Sequence, residues 1–186
     1  MPRSRGPKKV TSIQARRRGS NRVRGFFAFA ETTAYQPRGI LLGQQTSDSC
    51  VPACCRMLLF DLFPERQQDY SYSESFLRAA LTTNQRAPVP ELLRHLGNPL
   101  PYRYRKDVTR GELQRAILNA FVMVRVAGQD RADGHVVLVE EISDDFVALR
   151  DPLPEAQGSA YRISLNVFLT AWQAKKTGLG QAILVE

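Results

Sequence analysis

The sequence predicts an α+β domain in which a helical lobe packs on an antiparallel sheet. Apolar residues at helical spacing dominate residues 51–118, whereas short runs rich in β-branched residues dominate after residue 119. Helices first and strands later are typical of α+β folds. With 186 residues and 43% hydrophobic content, the chain is long enough for one domain with a substantial core.

Residues 39–43 suggest a short extended piece, and a helix is predicted over residues 51–63. Pro52 lies where a first-turn proline is tolerated, and Pro64 ends the run. A second helix is predicted to begin near Ser71, with Glu74 completing a capping box. Two further helices are predicted, one over residues 90–96 and one that opens at Thr109 and continues to residue 118.

The second half of the chain predicts strands. Residues 121–126, 135–142 and 146–149 are rich in β-branched and apolar residues. Residues 143–145, Ser-Asp-Asp, are typical of a turn, so the last two runs are predicted to form a hairpin. Two shorter strands are predicted over residues 161–163 and 182–185, with a helix over residues 165–175 between them. No internal repeat is present.

The positive charge is concentrated at the N-terminus. Residues 1–25 contain nine Lys or Arg and no acidic residue, whereas residues 26–186 contain 17 basic and 18 acidic residues. A segment of like charges with few large apolar residues repels itself and buries too little surface to become ordered alone. We therefore expect residues 1–25 to be a basic tail or linker, and residues 26–186 to form the folded domain.

Three roles suit this tail: a solvated extension, an arm that contacts nucleic acid or an anionic surface, and an organelle transit segment. It lacks the apolar core of a secretory signal peptide. No stretch of the chain approaches 18 consecutive apolar residues. The sequence therefore predicts no signal peptide, no membrane span and a cytoplasmic location.

Three cysteines, at positions 50, 54 and 55, are close together in the sequence. Their odd number and helical spacing favour a reducing compartment or a functional thiol over a disulfide framework. Cys50 ends a polar loop and precedes the first helix, where unpaired N–H groups and the helix dipole stabilise a thiolate. Cys54 and Cys55 fall in the helix body, where cysteine usually behaves as a small hydrophobe. Cys50 is therefore the candidate nucleophile.

A histidine and an aspartate are predicted to meet at one end of the hairpin. His135 opens one strand, and Asp151 follows the next strand sixteen residues later. A cysteine nucleophile needs a base and a carboxylate or amide that orients the base. The backbone N–H of Cys50 and a glutamine amide in the preceding loop, for which Gln44 is the candidate, would stabilise an oxyanion.

Each of these residues also has a structural explanation. A cysteine on an apolar helix usually packs, a strand histidine is usually a core or edge residue, and Asp151 before proline suits an ordinary turn. The other histidine, His95, resembles a surface residue. A zinc site built from cysteines and a histidine is a further alternative, but no second Cys or His pair completes it. No metal or cofactor is predicted, and the combination of residues indicates a thiol enzyme.

These residues together resemble a known family. A glutamine six residues before the cysteine, an Ala-Cys pair after it, a histidine that opens a valine-rich strand and an Asp-Pro pair are similar to the peptidase domains of bacteriocin-processing transporters. These are double-glycine leader peptidases of the papain-like clan, and the similarity covers residues 42–152. It implies a papain-like fold in which the nucleophile, base, orienting carboxylate and oxyanion donor match Cys50, His135, Asp151 and Gln44.

The chain departs from this family in two respects. Val51 and Pro52 follow the cysteine where family members usually have glycine, which affects the shape of the substrate cleft. The membrane-spanning and ATP-hydrolysing segments that commonly accompany the family are not found in these 186 residues. The resemblance therefore extends to a detached toxin domain of a bacterial secreted effector, which would act inside a target cell and be countered by an immunity or inhibitor protein.

The expected function is a cysteine protease that hydrolyses peptide bonds of a protein or peptide substrate, with cleavage after small residues such as Gly-Gly as the narrower expectation. The same acyl-thiol chemistry also suits glutamine deamidation or transglutamination. The non-enzymatic alternative is a module that binds nucleic acid or an acidic partner through its basic arm.

Overall fold

The structure is a computed structural model that describes residues 25–82, 102–128, 131–173 and 178–185. Its strands are β1 (Thr32–Ala34), β2 (Tyr102–Val108), β3 (Phe121–Gly128), β4 (Arg131–Ile142), β5 (Phe146–Asp151), β6 (Ser159–Ser164) and β7 (Gly180–Val185). Its helices are α1 (Cys50–Leu62), α2 (Glu74–Thr82), α3 (Arg110–Ala116) and α4 (Leu165–Trp172), with 3-10 turns at Pro64–Arg66 and Tyr70–Tyr72. Most of the predicted tail, and the helix predicted over residues 90–96, lie outside the described residues.

All seven strands form one antiparallel sheet in the order β1-β6-β5-β4-β3-β7-β2. The five strands predicted from apolar and β-branched runs are present, each within a few residues of its expected ends. The predicted hairpin is β4–β5, in which Leu138 pairs with Arg150. The mixed α and β composition and the antiparallel sheet are therefore as predicted.

Two strands were not predicted. Strand β2 alternates aromatic and charged residues and lies at the sheet edge, where Tyr104 pairs with Ile183 of β7. Strand β1 has three residues and forms the opposite edge beside β6. The open side of an edge strand can pair with another chain, and charged side chains or a very short strand prevent this, so edge strands often lack an apolar run. The extended piece expected at residues 39–43 belongs to no strand.

Helices cover both faces of the sheet. Helix α1 buries most of its length and packs with Leu77 of α2 against Met123 and Leu138 of the sheet. On the opposite face, Phe168 and Trp172 of α4 pack with Phe27 against the apolar side chains of the central strands. The two layers hold α1 and the start of β4 close together, with Cys54 Sγ donating to the Val136 carbonyl at 3.3 Å.

The second helix begins later than its sequence pattern predicts. No α-helix starts at Ser71. Asp69 instead caps a 3-10 turn, in which its carboxylate accepts the Ser71 amide at 2.9 Å. The Ser73 hydroxyl then accepts the Phe76 amide at 3.3 Å at the start of α2. The predicted capping box of Ser71 with Glu74 is therefore wrong. The one predicted at Thr109 and Glu112 is present.

A buried ion-pair cluster connects α1 to the hairpin. Arg150 lies directly before Asp151 and its Nη1 is 2.6 Å from the carboxylate of Asp61 on α1. Its Nε is 2.7 Å from Glu140 of β4, and Nη1 also donates to the Ile40 carbonyl at 2.8 Å. Breaking one partner of such a buried cluster leaves an uncompensated charge. The cluster therefore fixes the helix that carries Cys50 relative to the strand that carries Asp151.

Candidate active site

Cys50 is the first residue of α1 and is half-buried. The polar loop 44–49 ends at Ser49, which is the N-cap. The N–H groups of the first helical turn have no partner within the helix, and the positive end of its dipole favours an anion there. The start of α1 therefore provides an environment that stabilises a thiolate.

His135 lies near the start of β4, where it pairs with Val126 of β3. Its imidazole is fully buried, and Nε2 is 2.7 Å from Oδ1 of Asp151. Asp151 ends β5 and is also fully buried. The antiparallel register of β4 and β5 brings together two residues that are sixteen positions apart. The structure thus places the predicted histidine and aspartate in direct contact.

The carboxylate of Asp151 is held from both sides. Besides His135, Oδ1 accepts the Leu153 amide at 2.9 Å. Oδ2 accepts the Phe26 amide at 2.6 Å and the Tyr161 hydroxyl. Because four donors surround it, the carboxylate has one orientation, and it accepts from Nε2–H of the imidazole. That leaves Nδ1 as the ring nitrogen available for proton transfer.

The Cys50 thiol interacts with this imidazole. Burial alone would raise the pKa of Cys50, but the side chain of His135 and the backbone amides of Val136 and Val51 lower it below its ordinary value. Burial would likewise lower the pKa of His135, yet Asp151 and Cys50 together raise it to about 9. Nδ1 makes no hydrogen bond of regular geometry within the described ranges. These shifts favour a thiolate–imidazolium pair.

The other two cysteines lie in an apolar environment. Cys54 and Cys55 are fully buried one turn along α1. Burial raises the pKa of Cys54 well above its ordinary value and that of Cys55 to about 12. No group of three or more His, Cys, Asp or Glu in the described part of the chain could hold a metal ion. His95 lies outside the described residues.

Gln44 is fully buried in the loop before α1. Its backbone is joined to the segment after Asp151, because its N–H donates to the Pro152 carbonyl and its carbonyl accepts the Ala156 amide, each at 2.8 Å. Its side-chain Nε2 donates to the Thr46 carbonyl at 2.7 Å. An amide nitrogen carries two hydrogens, so one remains for another acceptor.

The contact of Glu74 with this loop was not predicted from the sequence. Its buried carboxylate accepts the Gln45 amide at 2.6 Å and the Ser49 hydroxyl. Ser49 in turn accepts the Thr46 amide at 3.0 Å. Glu74 therefore fixes the loop that joins Gln44 to Cys50. Its position three residues after Ser71 suggested local capping, and the long-range pairing has no sequence signal.

Two aromatic residues at the site were also not predicted. The Phe26 ring stacks on the His135 imidazole, with centroids 5.0 Å apart and planes 12° from parallel. Tyr161 donates its hydroxyl to Asp151, and burial with the nearby Asp151 charge raises its pKa well above the ordinary value. The sequence pointed to Phe26 only through the Phe-Phe pair that follows the basic segment. For Tyr161 it indicated a strand position and no role at the site.

The fold is similar to that of a known peptidase domain. It matches the crystal structure of the peptidase domain of Streptococcus ComA, a bifunctional ABC transporter involved in a quorum sensing pathway, with a TM-score of 0.51 and 21% sequence identity. The match covers 78% of this chain and 97% of that domain. No protein-family model and no curated protein sequence matches the chain. The comparison therefore establishes the relationship at the level of the fold.

None of the helices in the described ranges combines the length and apolar character needed to cross a bilayer.

Proposed function

We propose that the protein is a cysteine peptidase in which Cys50 is the nucleophile, His135 the general acid and base, and Asp151 the residue that orients His135. The observation that carries the proposal is the buried hydrogen bond between the His135 imidazole and Asp151, together with the opposite shifts that the Cys50 thiol and the imidazole cause in each other's pKa. Likeness to the ComA peptidase domain supports it at the level of the fold.

The proposed reaction begins with attack of the Cys50 thiolate on a substrate carbonyl carbon. The new C–S bond places negative charge on the carbonyl oxygen, and the imidazolium of His135 gives its proton to the departing amine as the peptide bond breaks. A water molecule then attacks the acyl-thiol, with neutral His135 taking its proton. The acid product leaves, and the thiolate and the imidazolium are restored.

The oxyanion would be stabilised by the backbone N–H of Cys50 and the second amide hydrogen of Gln44. Cys50 is at the helix start, where backbone N–H groups lack intrahelical partners. The bonds from Gln44 to Pro152, Ala156 and Thr46 hold its amide in the loop before Cys50. Donors that are fixed before the reaction need no reorganisation as charge develops.

The proposed substrate is a protein or peptide, with cleavage after small residues such as Gly-Gly as the narrower expectation from the family resemblance. Delivery as a toxin effector, and an immunity partner, also remain predictions of that resemblance. Val51 and Pro52 follow the cysteine, where the family usually has glycine. The specificity of the substrate cleft is therefore the property that the resemblance supports least.

The test is to incubate the protein and Cys50→Ala separately with a whole-cell lysate and to sequence newly formed protein termini. We expect new termini only with the unchanged protein. Intact targets that instead change by the mass of an amide-to-acid conversion would show deamidation by the same thiol. Equal sets of termini from both proteins would contradict the assignment of Cys50.

Deleting residues 1–24 separates the enzymatic function from the binding module. An enzyme retains turnover of a small peptide substrate after this deletion, because the described site begins at Gly25. A module that works only through its basic arm loses its partner and shows no turnover in either form.

A further inference from the structure

The imidazole of His135 has an aromatic neighbour that the proposed chemistry does not require. Phe26 stacks on it with centroids 5.0 Å apart and planes 12° from parallel. The face of an aromatic ring attracts a cation, so a ring in this position favours the protonated imidazole over the neutral one. It also covers one face of the imidazole and keeps water from the His135–Asp151 hydrogen bond.

The same residue contacts the other partner of the pair. The backbone N–H of Phe26 donates to Oδ2 of Asp151 at 2.6 Å, while Oδ1 of the same carboxylate is 2.7 Å from His135. A donor on the far oxygen fixes the plane of the carboxylate. Phe26 therefore acts on His135 directly through its ring and indirectly through Asp151.

Residues 25–27, which we call the N-terminal strap, are built closely against the site. Phe27 is fully buried, and its ring contacts the edge of Tyr161 with centroids 6.4 Å apart. A Cβ atom on Gly25 would lie 2.5 Å from Tyr161 and 2.7 Å from Oδ2 of Asp151. Distances below 3 Å exclude any side chain, so glycine is required for the strap to approach the carboxylate.

Building on the proposed function, we infer that the N-terminal strap is part of the active site and that Phe26 is a positioning residue, which holds His135 protonated and in line with Asp151. The strap begins where the basic segment 1–24 ends. The enzymatic domain therefore includes Gly25, and a boundary drawn after residue 25 would remove a residue that packs on Asp151.

The experiment measures the pH dependence of Cys50 alkylation by iodoacetamide in the full chain, with peptide mapping to assign the label. Phe26→Leu removes the aromatic face but keeps the backbone N–H. Phe26→Tyr restores an aromatic ring. Phe29→Leu is the matched control, because Phe29 lies in the same segment but its side chain is 73% exposed.

For Phe26→Leu we expect the upper midpoint of the profile, at which His135 loses its proton, to fall by about 0.5 to 1.5 pH units, because the imidazolium loses one cation–π contact. The lower midpoint, at which the Cys50 thiol ionises beside an imidazolium that is already formed, should stay where it is. This shift corresponds to a loss of about threefold to thirtyfold in the ratio of imidazolium to imidazole at a given pH. Phe26→Tyr and Phe29→Leu should keep the profile of the unchanged protein. A purely structural role would lower the melting temperature without moving either midpoint.

An unchanged pH profile in folded Phe26→Leu would overturn the inference. If that variant does not fold, Phe26→Met, which keeps the side-chain volume, decides the question by the same measurement. Failure of the proposed function looks different, because the unchanged protein would then show one midpoint near that of an ordinary thiol. Two midpoints with the same values in all variants would overturn only the role of Phe26.

Discussion

Cys50 and Cys54 lie one helical turn apart on α1, but their surroundings have opposite effects on their thiols. Both contact the peptide groups of Val136: a backbone hydrogen bond there lowers the pKa of Cys50, whereas the Val136 carbonyl accepts the thiol of Cys54. An amide donor stabilises a thiolate, and a carbonyl acceptor requires the proton to stay. One turn of helix thus separates a thiol suited to attack from a thiol suited to packing.

The largest expected difference between the two comes from replacing each thiol. Cys50→Ser should reduce peptide hydrolysis by about a thousandfold or more, because the attacking thiolate is lost. Cys54→Ala should keep turnover within a few-fold and lower the free energy of unfolding by about 1 kcal/mol, as for other small core truncations. Steady-state kinetics and urea unfolding of both variants provide the measurement. Comparable losses of turnover in the two variants would contradict the different roles of Cys50 and Cys54.

The next largest effect is expected at Asp151. In Asp151→Asn, an NH2 group replaces one of the two carboxylate oxygens. It must then face another donor, which is either Nε2–H of His135 or the backbone N–H of Phe26. Turnover should fall by about a hundredfold, since the imidazole tautomer or its orientation is lost. Asp144→Asn is the matched control, because Asp144 lies in the turn of the same hairpin and is highly exposed. Equal kcat/KM values for the two variants would contradict the orienting role.

The features that distinguish the two thiols were only partly predictable. The helix, the hairpin and its ends follow from local periodicity, so Cys50, His135 and Asp151 could be selected from the sequence. Phe26 could not, because its amide meets Asp151 across 125 residues. Glu74 matched a local capping pattern, but its carboxylate bonds to Gln45 and Ser49 instead. Local patterns predict elements, whereas the supports of the site depend on tertiary contacts.

The ionisation of Cys50 and His135 also predicts how turnover depends on pH. Turnover should rise as Cys50 ionises and fall by about tenfold per pH unit once His135 loses its proton. The folded-state pKa of His135 is raised to about 9. Its contribution to folding stability is therefore complete below the unfolded pKa of about 6.5 and is lost as the pH rises through about 9.

Profiles of kcat/KM and urea unfolding at pH 7 and pH 10 test both statements. His135→Gln is the control for stability, since it removes this titration. An activity profile without a falling limb near pH 9, together with the same pH dependence of stability in His135→Gln, would contradict the thiolate–imidazolium pair.

The smallest effect is expected at Glu74. Glu74→Gln keeps an acceptor for the loop but removes its charge, and charge-assisted hydrogen bonds are roughly twice as strong as neutral ones. We expect kcat to fall by about threefold to tenfold with KM little changed, because Glu74 supports the loop of the proposed oxyanion donor Gln44. Glu65→Gln, at an exposed position, should leave both constants as they are. A change confined to KM would place Glu74 in substrate binding instead.

Among the three cysteines, Cys50 alone should be a reactive thiolate near neutral pH. The most direct test of this is alkylation of the native protein with limiting iodoacetamide at pH 6, followed by peptide mapping. We expect a single label on Cys50, which is absent from Cys50→Ala, while Cys54 and Cys55 react only after unfolding. Equal labelling of all three cysteines, or no reaction of Cys50 until the pH of an ordinary thiol, would contradict it.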